Sequence, residues 1–392
     1  MMLYIHVPFC ASRCVYCGFY STTLLDLRDA YVDAVCHEID MRLHSAPTSV
    51  YIGGGTPSML SSSQLARIFA HIDTAETVEV TLECNPDDIS NLLRSNEPSW
   101  SGLASLPINR ISLGVQTFDD ERLKFLNRRH TAQQAVDVVR HIVGHTDLKT
   151  SIDLIYGFPG QTLGDWQRDV DTAVSLGVGH ISAYCLTYEP GTSLFRMREE
   201  GRVVEADEET CRRMYYLLKD CLEAAGYEHY EISNFARPGC RAVHNSGYWS
   251  GIPYVGIGAA AHSYDGSRRS WNVSDVKAYI DAVGAGELPA EGEDLDAAAK
   301  YNDRVMLTLR TCDGLDLGTL TPEQRSYCLA NARRHIANGM MVMEGSCKPS
   351  AMRARSLIAE APLKFDDSQG NSLRLTRDAL FISDYVVSDL ML

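Results

Sequence analysis

The chain has 392 residues, of which 45% are hydrophobic and 22% charged, and its formal net charge at pH 7 is −15. These values are typical of a folded globular chain long enough for more than one core, and the acidity argues against nucleic acid as a partner. No apolar run of about eighteen residues and no secretory signal is present, so we expect a cytoplasmic protein without a transmembrane helix.

Strands and helices alternate along the first half of the chain. Short β-prone apolar runs predict strands at 3–7, 50–52, 78–83, 110–115, 150–155 and 180–186. Helical periodicity predicts helices at 24–43, 63–72, 132–143 and 163–176, and a further acidic helix after residue 206. Six β/α steps of this kind indicate a parallel sheet, either doubly wound or closed into an incomplete barrel.

Polar motifs follow each of the six predicted strands and favour the barrel. They are the cysteine loop, Gly53–Pro57, Glu83–Pro86, Gln116–Phe118, Asp153 with Tyr156–Gly157, and Thr187–Pro190. Loops that converge on the carboxyl ends of the strands are the layout of a barrel active site. We therefore predict an α/β fold, a (β/α)6 partial TIM barrel with an open side, followed by a small α-rich, winged-helix-like C-terminal domain.

Composition divides the chain into four predicted segments. The barrel takes residues 1–206, and an aromatic-rich accessory segment packed on it takes 207–283. Residues 284–296, GAGELPAEGEDLD, are rich in glycine, proline and acid and are predicted to be a linker. The C-terminal domain takes 297–392.

Three of the twelve cysteines, Cys10, Cys14 and Cys17, form a C-x3-C-x2-C motif. Three thiolates can hold three irons of a [4Fe–4S] cluster and leave the fourth iron open to a small molecule. A disulfide fits poorly in a chain without a secretory signal, and zinc would need a fourth ligand, which His6 could supply. The other nine cysteines are scattered and predict no second cluster.

The strand-end motifs suggest a binding rim. Gly53–Gly55 expose backbone groups that can hydrogen-bond an ammonium group, although a tight turn is the simpler interpretation. Glu83 can accept hydrogen bonds from ribose hydroxyls or an ammonium group. Gln116, Arg128 and Asp153 are weak signals singly but together outline a nucleoside or second-ligand pocket.

Two later motifs are ambiguous from sequence. Residues 256–261, GIGAAA, match a dinucleotide fingerprint but do not follow the first strand of a βαβ unit, so we expect these glycines to lie close to the cluster or its ligand. His244, in the run HNSGYW, is by default a structural or surface histidine. Imidazole is also the commonest axial ligand of haem iron, and flat aromatics can pack on a porphyrin.

These motifs resemble the HemW-type haem chaperones, a branch of the HemN-like (oxygen-independent coproporphyrinogen III oxidase-like) family in the radical S-adenosylmethionine (SAM) superfamily. The resemblance covers nearly the whole chain and rests on runs such as YIHVPFCASRCVYCGFY, GGGTPS, RISLGVQTFDDERLKFLNRRH, DLIYGFPGQT, HNSGYW and GIGAAAHS. It implies a [4Fe–4S] cluster on the three cysteines, bound SAM, bound haem and a C-terminal accessory domain.

The resemblance also implies roles for single residues. Tyr4, Gly55, Thr56 and Glu83 match positions that contact the cluster-bound SAM, with Gly54 in the same glycine run. Tyr16, Gln116, Arg128 and Asp153 match positions that contact a second SAM in the dehydrogenase. The HNSGYW run is linked to haem binding, which makes His244, Tyr248 and Trp249 the predicted haem residues and leaves His6 and His262 as rival imidazoles.

Two functions remain open at this point. The first is a haem chaperone that delivers haem to acceptor haemoproteins, with a role in the cytoplasm or at the membrane periphery and compatible with a homodimer. The second is an oxygen-independent coproporphyrinogen III dehydrogenase that decarboxylates propionates by radical chemistry. Only nine residues precede Cys10, so we expect no long N-terminal substrate arm, and together with HNSGYW this favours the chaperone.

Overall fold

The computed structural model describes residues 1–94, 99–344 and 371–392. It divides the chain into two compact units. The first unit consists of Met1–His229, Ser233–Tyr248 and Ile252–Asp294. The second unit consists of Tyr230–Ile232, Trp249–Gly251 and Leu295–Leu392. Residues 345–370, which include Cys347, lie outside the described part of the chain.

Six parallel strands form the centre of the first unit. They are β1 (Met2–Val7), β2 (Ser49–Gly54), β3 (Glu79–Cys84), β4 (Arg110–Gln116), β5 (Lys149–Tyr156) and β6 (His180–Cys185). Each strand pairs in parallel with the next one along the chain. A doubly wound sheet would reverse its strand order at a switch point, so the sequential order confirms the predicted partial barrel.

Helices connect these strands. They are α1 (Arg28–Arg42), α2 (Ser62–Phe69), α3 (Pro86–Arg94), α4 (Ser99–Ala104), α5 (Asp120–Phe125), α6 (Ala132–His145) and α7 (Leu163–Ser175). The four predicted helices correspond to α1, α2, α6 and α7. Reciprocal capping boxes begin α6 at Thr131 and Gln134 and α7 at Thr162 and Asp165. Helices α3, α4 and α5 were not predicted, because six to nine residues carry too little periodicity.

The two faces of the barrel strands differ in chemistry. Alternate residues such as Leu3, Ile5 and Val7 in β1 are fully buried and apolar. The intervening residues of neighbouring strands are polar and bond one another across the barrel interior. Arg110 donates to Glu79 Oε2 at 2.9 Å and to Ser151 Oγ at 2.9 Å. Because successive side chains of a strand point to opposite faces, the polar residues line the barrel interior, where a binding site can form.

The rest of the first unit extends the sheet beyond the barrel strands. The elements that follow β6 are α8 (Ser193–Glu199), α9 (Glu208–Ala224), β7 (Glu228–Glu231), β8 (Asn234–Ala236), α10 (Val243–Trp249), β9 (Tyr254–Ile257), β10 (His262–Tyr264), β11 (Arg268–Asn272), α11 (Val276–Gly284) and β12 (Ala290–Asp294). β9 adds to β1 in parallel, and β8 adds to β6 in antiparallel orientation.

The structure differs from the predicted linker at 284–296. Residues 290–294 are the strand β12, which pairs with β11 in antiparallel register. Opposite charges face each other along this pair, with Arg268 Nη1 at 3.0 Å from Asp294 Oδ1. Backbone pairing and cross-strand charges can order a polar segment whose composition alone resembles a linker.

The second unit combines helices with a small sheet. Its elements are α12 (Ala297–Leu309), β13 (Leu315–Asp316), α13 (Pro322–Ala337), β14 (Met341–Glu344), β15 (Ser372–Leu375) and α14 (Ser383–Ser388). β15 lies between β13 and β14 and pairs with both in antiparallel orientation. The second unit has its own apolar core, which includes Val305, Leu309 and Leu390. In neither unit is any described helix both long and apolar enough to cross a membrane.

Candidate functional site

The cysteine loop follows β1 and is held at both ends. Thr22 donates its backbone N–H to Pro8 O at 2.7 Å, and Cys10 donates to Thr22 O at 2.9 Å. Farther along, Leu194 N–H donates to the carbonyl of Val15 at 2.8 Å. Cys10, Cys14 and Cys17 are free, partly exposed thiols on this loop. The structure therefore presents the three predicted ligands at the carboxyl end of β1.

The donor set suits a cluster better than a single ion. Among the described residues, no group of three or more His, Cys, Asp or Glu side chains is arranged to hold one metal ion. In a cluster each cysteine binds a different iron, so the thiols do not need to converge on one point. Three accessible thiols on one anchored loop fit that requirement.

Cys10 and Cys14 each have a polar side chain next to the sulfur atom. Thr56 Oγ1 lies 3.5 Å from Cys10 Sγ, and Arg128 Nη1 donates to Cys14 Sγ at 3.6 Å. Burial raises the pKa of Cys10, which the hydrogen bond from Thr56 partly opposes, and burial also raises the pKa of Cys17. Thiolates at Cys10 and Cys17 therefore need nearby positive charge, which bound iron would supply.

His6 is not placed to complete a zinc site. Its Nε2 donates to the carbonyl of Tyr20 at 3.0 Å, since a carbonyl can only accept. That tautomer leaves Nδ1 to accept the hydroxyl hydrogen of Tyr4 at 2.9 Å. The side chain is buried, and burial lowers its pKa. Both ring nitrogens are occupied, so His6 positions Tyr4 rather than offering a free ligand.

The glycines at the end of β2 allow two chain segments to approach closely. A Cβ on Gly55 would lie 2.7 Å from the backbone carbon of Pro8, and one on Gly54, whose φ is +112°, would lie 2.6 Å from the His6 ring. The Gly54 N–H donates to Glu83 Oε2 at 3.0 Å. The glycine run thus brings the end of β2 against the cysteine loop, and one of its N–H groups positions a carboxylate.

Glu83 is the most constrained acid of the rim. Besides Gly54, it accepts a 2.6 Å hydrogen bond from the hydroxyl of Tyr51. Burial raises its pKa to about 7, against the lowering effect of the Tyr51 hydrogen bond, and nearby Asp153 raises it further. Burial likewise raises the pKa of Asp153 to about 6, opposed by a hydrogen bond from Ser182 and by the charge of Arg128. Two acids with raised pKa values therefore lie near each other in the barrel.

Arg128 connects the cysteine loop with the ends of β3 and β4. Its Nη2 donates to Asn85 Oδ1 at 2.6 Å and to Gly114 O at 2.5 Å, while its buried Nε has no partner among the described residues. Arg128 lines an open, polar cleft together with Cys14, Thr56 and Asn85, among others. One of the three loop cysteines therefore lies on the wall of this cleft, which makes it a candidate ligand site.

The other predicted rim residues, which include Tyr4, Gln116 and Tyr16, are not among those that line this cleft. Tyr4 stacks on Tyr51 with ring centroids 6.2 Å apart. Gln116 is buried and has a positive φ of 68°, which is uncommon for a residue other than glycine. Tyr16 packs against an apolar cluster that includes Leu126 and Tyr188. Sequence reasoning missed Tyr51, although the alternation of polar residues in β2 was a signal for it, and it included Asn85 only within the motif Glu83–Pro86.

The structure buries His244 at the amino end of the barrel strands. Its Nδ1 is 2.9 Å from Ser49 Oγ at the start of β2, and its Nε2 is 3.0 Å from the hydroxyl of Tyr248. Its backbone N–H donates to Glu79 Oε1 at 3.0 Å. Burial lowers the pKa of His244 to about 3, so the imidazole is neutral at physiological pH. Tyr248 and Trp249 are partly exposed at the end of α10.

The GIGAAA run packs against β1. Gly256 is paired with Tyr4 in the parallel ladder. A Cβ on Gly258, whose φ is +103°, would lie 2.4 Å from the Tyr31 hydroxyl and 2.6 Å from His6 O. The Gly258 N–H donates to the buried carboxylate of Glu38 at 2.8 Å. These glycines therefore support the strand that carries the cysteine loop, through close backbone packing.

Comparison with known proteins identifies the family. The model of the radical SAM superfamily matches residues 4–173, the range that holds the three cysteines and the rim residues. A protein of Mycobacterium tuberculosis, named Heme chaperone HemW, is 35% identical over 376 residues, which are 92% of this chain and 93% of the relative. The chain belongs to the HemW family. A Bacillus subtilis HemW is 33% identical over 325 residues, 80% of this chain and 84% of the relative.

The fold agrees with that HemW membership. The structure of coproporphyrinogen III oxidase (HemN) from Escherichia coli, described as a radical SAM enzyme, superimposes with a TM-score of 0.77. The match covers 100% of this chain and 89% of HemN at 20% sequence identity. At that identity the similarity establishes the fold, a radical SAM partial barrel, and leaves the activity open.

Proposed function

We propose that this chain is a haem chaperone, which binds haem and passes it to acceptor haemoproteins. The observation that carries the proposal is its 35% identity to a HemW haem chaperone along nearly the full length of both chains. An oxidase similar to HemN is the competing function, but its similarity to this chain is one of fold.

We further propose that Cys10, Cys14 and Cys17 hold a [4Fe–4S] cluster whose fourth iron is open. When bound, such a cluster offers that iron to the amino and carboxylate groups of SAM. The support is local: three free thiols lie on a loop tied down at both ends, and Arg128 already donates to one of them. A cationic donor beside a ligating sulfur stabilises the thiolate.

The binding rim for SAM is assigned to the carboxyl ends of β1–β3. Glu83 is the acceptor for an ammonium or ribose group, since Tyr51 and the Gly54 N–H hold its two oxygens in place. Tyr4, Gly55 and Thr56 flank it next to the cysteine loop. Tyr16, Gln116, Arg128 and Asp153 form the second-ligand side of the rim. An ionised Glu83 would bind a cation more strongly than a protonated one.

For haem, we propose that His244 acts by positioning. Both of its ring nitrogens are engaged, so it can orient the hydroxyl of Tyr248 without itself meeting iron. Tyr248 and Trp249, partly exposed on α10, are the residues proposed to pack on the porphyrin. The proposed compartment is the cytoplasm, because the eleven cysteines among the described residues are all free thiols.

The decisive experiment assays two activities of the same anaerobically reconstituted protein. One sample is titrated with haem and then mixed with an apo-haemoprotein, and a parallel sample is given coproporphyrinogen III with SAM and a reductant. We expect stoichiometric haem binding, haem transfer and no decarboxylation. Decarboxylation in a protein that binds no haem would reject the chaperone in favour of the enzyme. Haem retained during the titration but never transferred would contradict the delivery step alone.

A further inference from the structure

Two cysteines that are distant in sequence meet behind the rim. Cys185 is the last residue of β6, and Cys211 lies in the first turn of α9. Both sulfur atoms lie 3.1 Å from the point where a Cβ on residue 157 would be, so the two thiols are close neighbours. A glycine at 157, with φ of +80°, leaves room for this pair.

The two thiols of the pair are not equivalent. Cys185 is partly exposed, whereas Cys211 is only 7% exposed. The interaction with the Cys185 thiol lowers the pKa of Cys211, whereas burial and the negative charges of Asp207, Glu205 and Glu208 raise it. The same interaction, together with burial, raises the pKa of Cys185. The first turn of a helix also favours a thiolate at Cys211. The position at the start of α9 favours Cys211 as the thiol that ionises first, and its small exposed area admits only a small oxidant.

We propose that Cys185 and Cys211 are a redox-active dithiol that hydrogen peroxide converts to a disulfide. The Cys211 thiolate attacks one peroxide oxygen, the O–O bond breaks, and the leaving hydroxide takes a proton to become water. Cys185 sulfur then attacks the resulting sulfenic acid, and the S–O bond breaks to release a second water with the Cys185 proton. The two thiols lose two electrons, and the peroxide gains them.

The pair lies at the base of a segment that contacts the cysteine loop. The segment after Cys185 contributes to an apolar cluster through Leu186, Tyr188 and Leu194. Two residues of the cysteine loop, Val15 and Tyr16, pack against the same cluster. Leu194 also donates to the carbonyl of Val15. A disulfide from Cys185 to α9 would therefore restrain the segment that supports the loop between Cys14 and Cys17. This modification site is independent of whether the protein carries haem.

The test begins with the full-length C10A/C14A/C17A variant, in which the reactive cluster cysteines no longer compete. The protein is exposed to a small excess of hydrogen peroxide without air, free thiols are alkylated, and the unreduced digest is analysed by mass spectrometry. We expect a peptide pair linked through Cys185 and Cys211, which separates on reduction. The reconstituted parent protein, treated in the same way, should give the same linked pair.

Single variants in the triple-alanine background test the order of events. In C185S the sulfenic acid at Cys211 has no partner, so dimedone should label Cys211 at least about tenfold more than Cys221, the half-exposed cysteine of the same helix. In C211S no label should appear at Cys185, and C221S should link Cys185 to Cys211 like its background. Equal labelling of Cys211 and Cys221, or full alkylation of both pair members after peroxide, would overturn the proposal.

Discussion

The hydroxyl of Tyr51 donates a 2.6 Å hydrogen bond to Oε1 of Glu83. Tyr51 also contacts a second residue deeper in the barrel, because its ring centroid is 5.2 Å from that of His244. One side chain therefore contacts both the rim at the carboxyl ends of the strands and the histidine at their amino ends.

Replacement of all three loop cysteines is the direct test of the cluster. We expect C10A/C14A/C17A to lose the brown chromophore and the bound iron after anaerobic reconstitution, because these three thiolates are the proposed iron ligands. The matched control replaces three scattered, half-exposed cysteines, Cys221, Cys240 and Cys312, with alanine and should keep both signals. Undiminished iron in the first variant would reject the assignment.

Glu83→Ala should weaken SAM binding by one to two decades. The reason is that loss of a buried acceptor leaves its partner unsatisfied, at a cost of about 1–3 kcal/mol. Calorimetry of reconstituted protein gives the affinity. Glu76→Ala, at an exposed acid shortly before β3, is the control and should bind like the parent. Equal SAM affinity in both variants would remove Glu83 from the site.

The raised pKa of Glu83 predicts a pH-dependent stability. Its folded-state pKa of about 7 exceeds the ordinary value of 4.5, so the folded protein binds more protons. Its stabilising contribution is complete below the ordinary pKa and is lost as the pH rises through about 7. Without SAM, the parent should lose up to about 3 kcal/mol more stability than Glu83→Gln between about pH 5 and pH 8.

Urea unfolding at the two pH values measures this difference. The exposed-site variant Glu76→Gln should follow the parent at both pH values. Identical pH dependence in the parent and Glu83→Gln would show that Glu83 has an ordinary pKa. Asp153→Asn should remove a second, smaller part of the dependence, because the pKa of Asp153 is raised to about 6.

Haem titration separates the three candidate imidazoles. We expect His244→Ala to bind haem several-fold more weakly than His6→Ala or His262→Ala, with the Soret maximum of the remaining complex unchanged, as a positioning role requires. Tyr248→Phe, which removes only the hydroxyl bonded to His244, should weaken binding in the same direction. A shifted Soret band in His244→Ala would instead make this histidine the axial ligand. Parental binding in all three histidine variants would exclude it from the site.

Truncation tests the division of the chain. The structure ends the first unit at Asp294, and the second has its own apolar core. A chain that ends at Asp294 should therefore still assemble the cluster, with the iron content and visible spectrum of the full-length protein. Loss of iron from a truncated chain that remains folded by circular dichroism would show that the second unit is needed for the centre.

Local patterns in the sequence were sufficient for the framework. Strand alternation, helical periodicity and the polar motifs after each strand predicted six β/α steps, and sequential pairing of β1–β6 confirms them. Short helices such as Asp120–Phe125 were not predicted, because they span less than two turns. Composition alone also failed at residues 290–294, where pairing with β11 provides the order.

By itself, the sequence determined the cysteine triplet, the order of the barrel strands and the family, because each depends on spacing along the chain. Only the tertiary structure decided that His244 is buried with both nitrogens engaged, that Tyr51 holds Glu83, and that Cys185 meets Cys211. Apart from the bond between His244 and Tyr248, which are four positions apart, these contacts join residues 26 to 195 positions apart in the chain. They arise from strand register and from helices packed across the barrel, which no local pattern encodes.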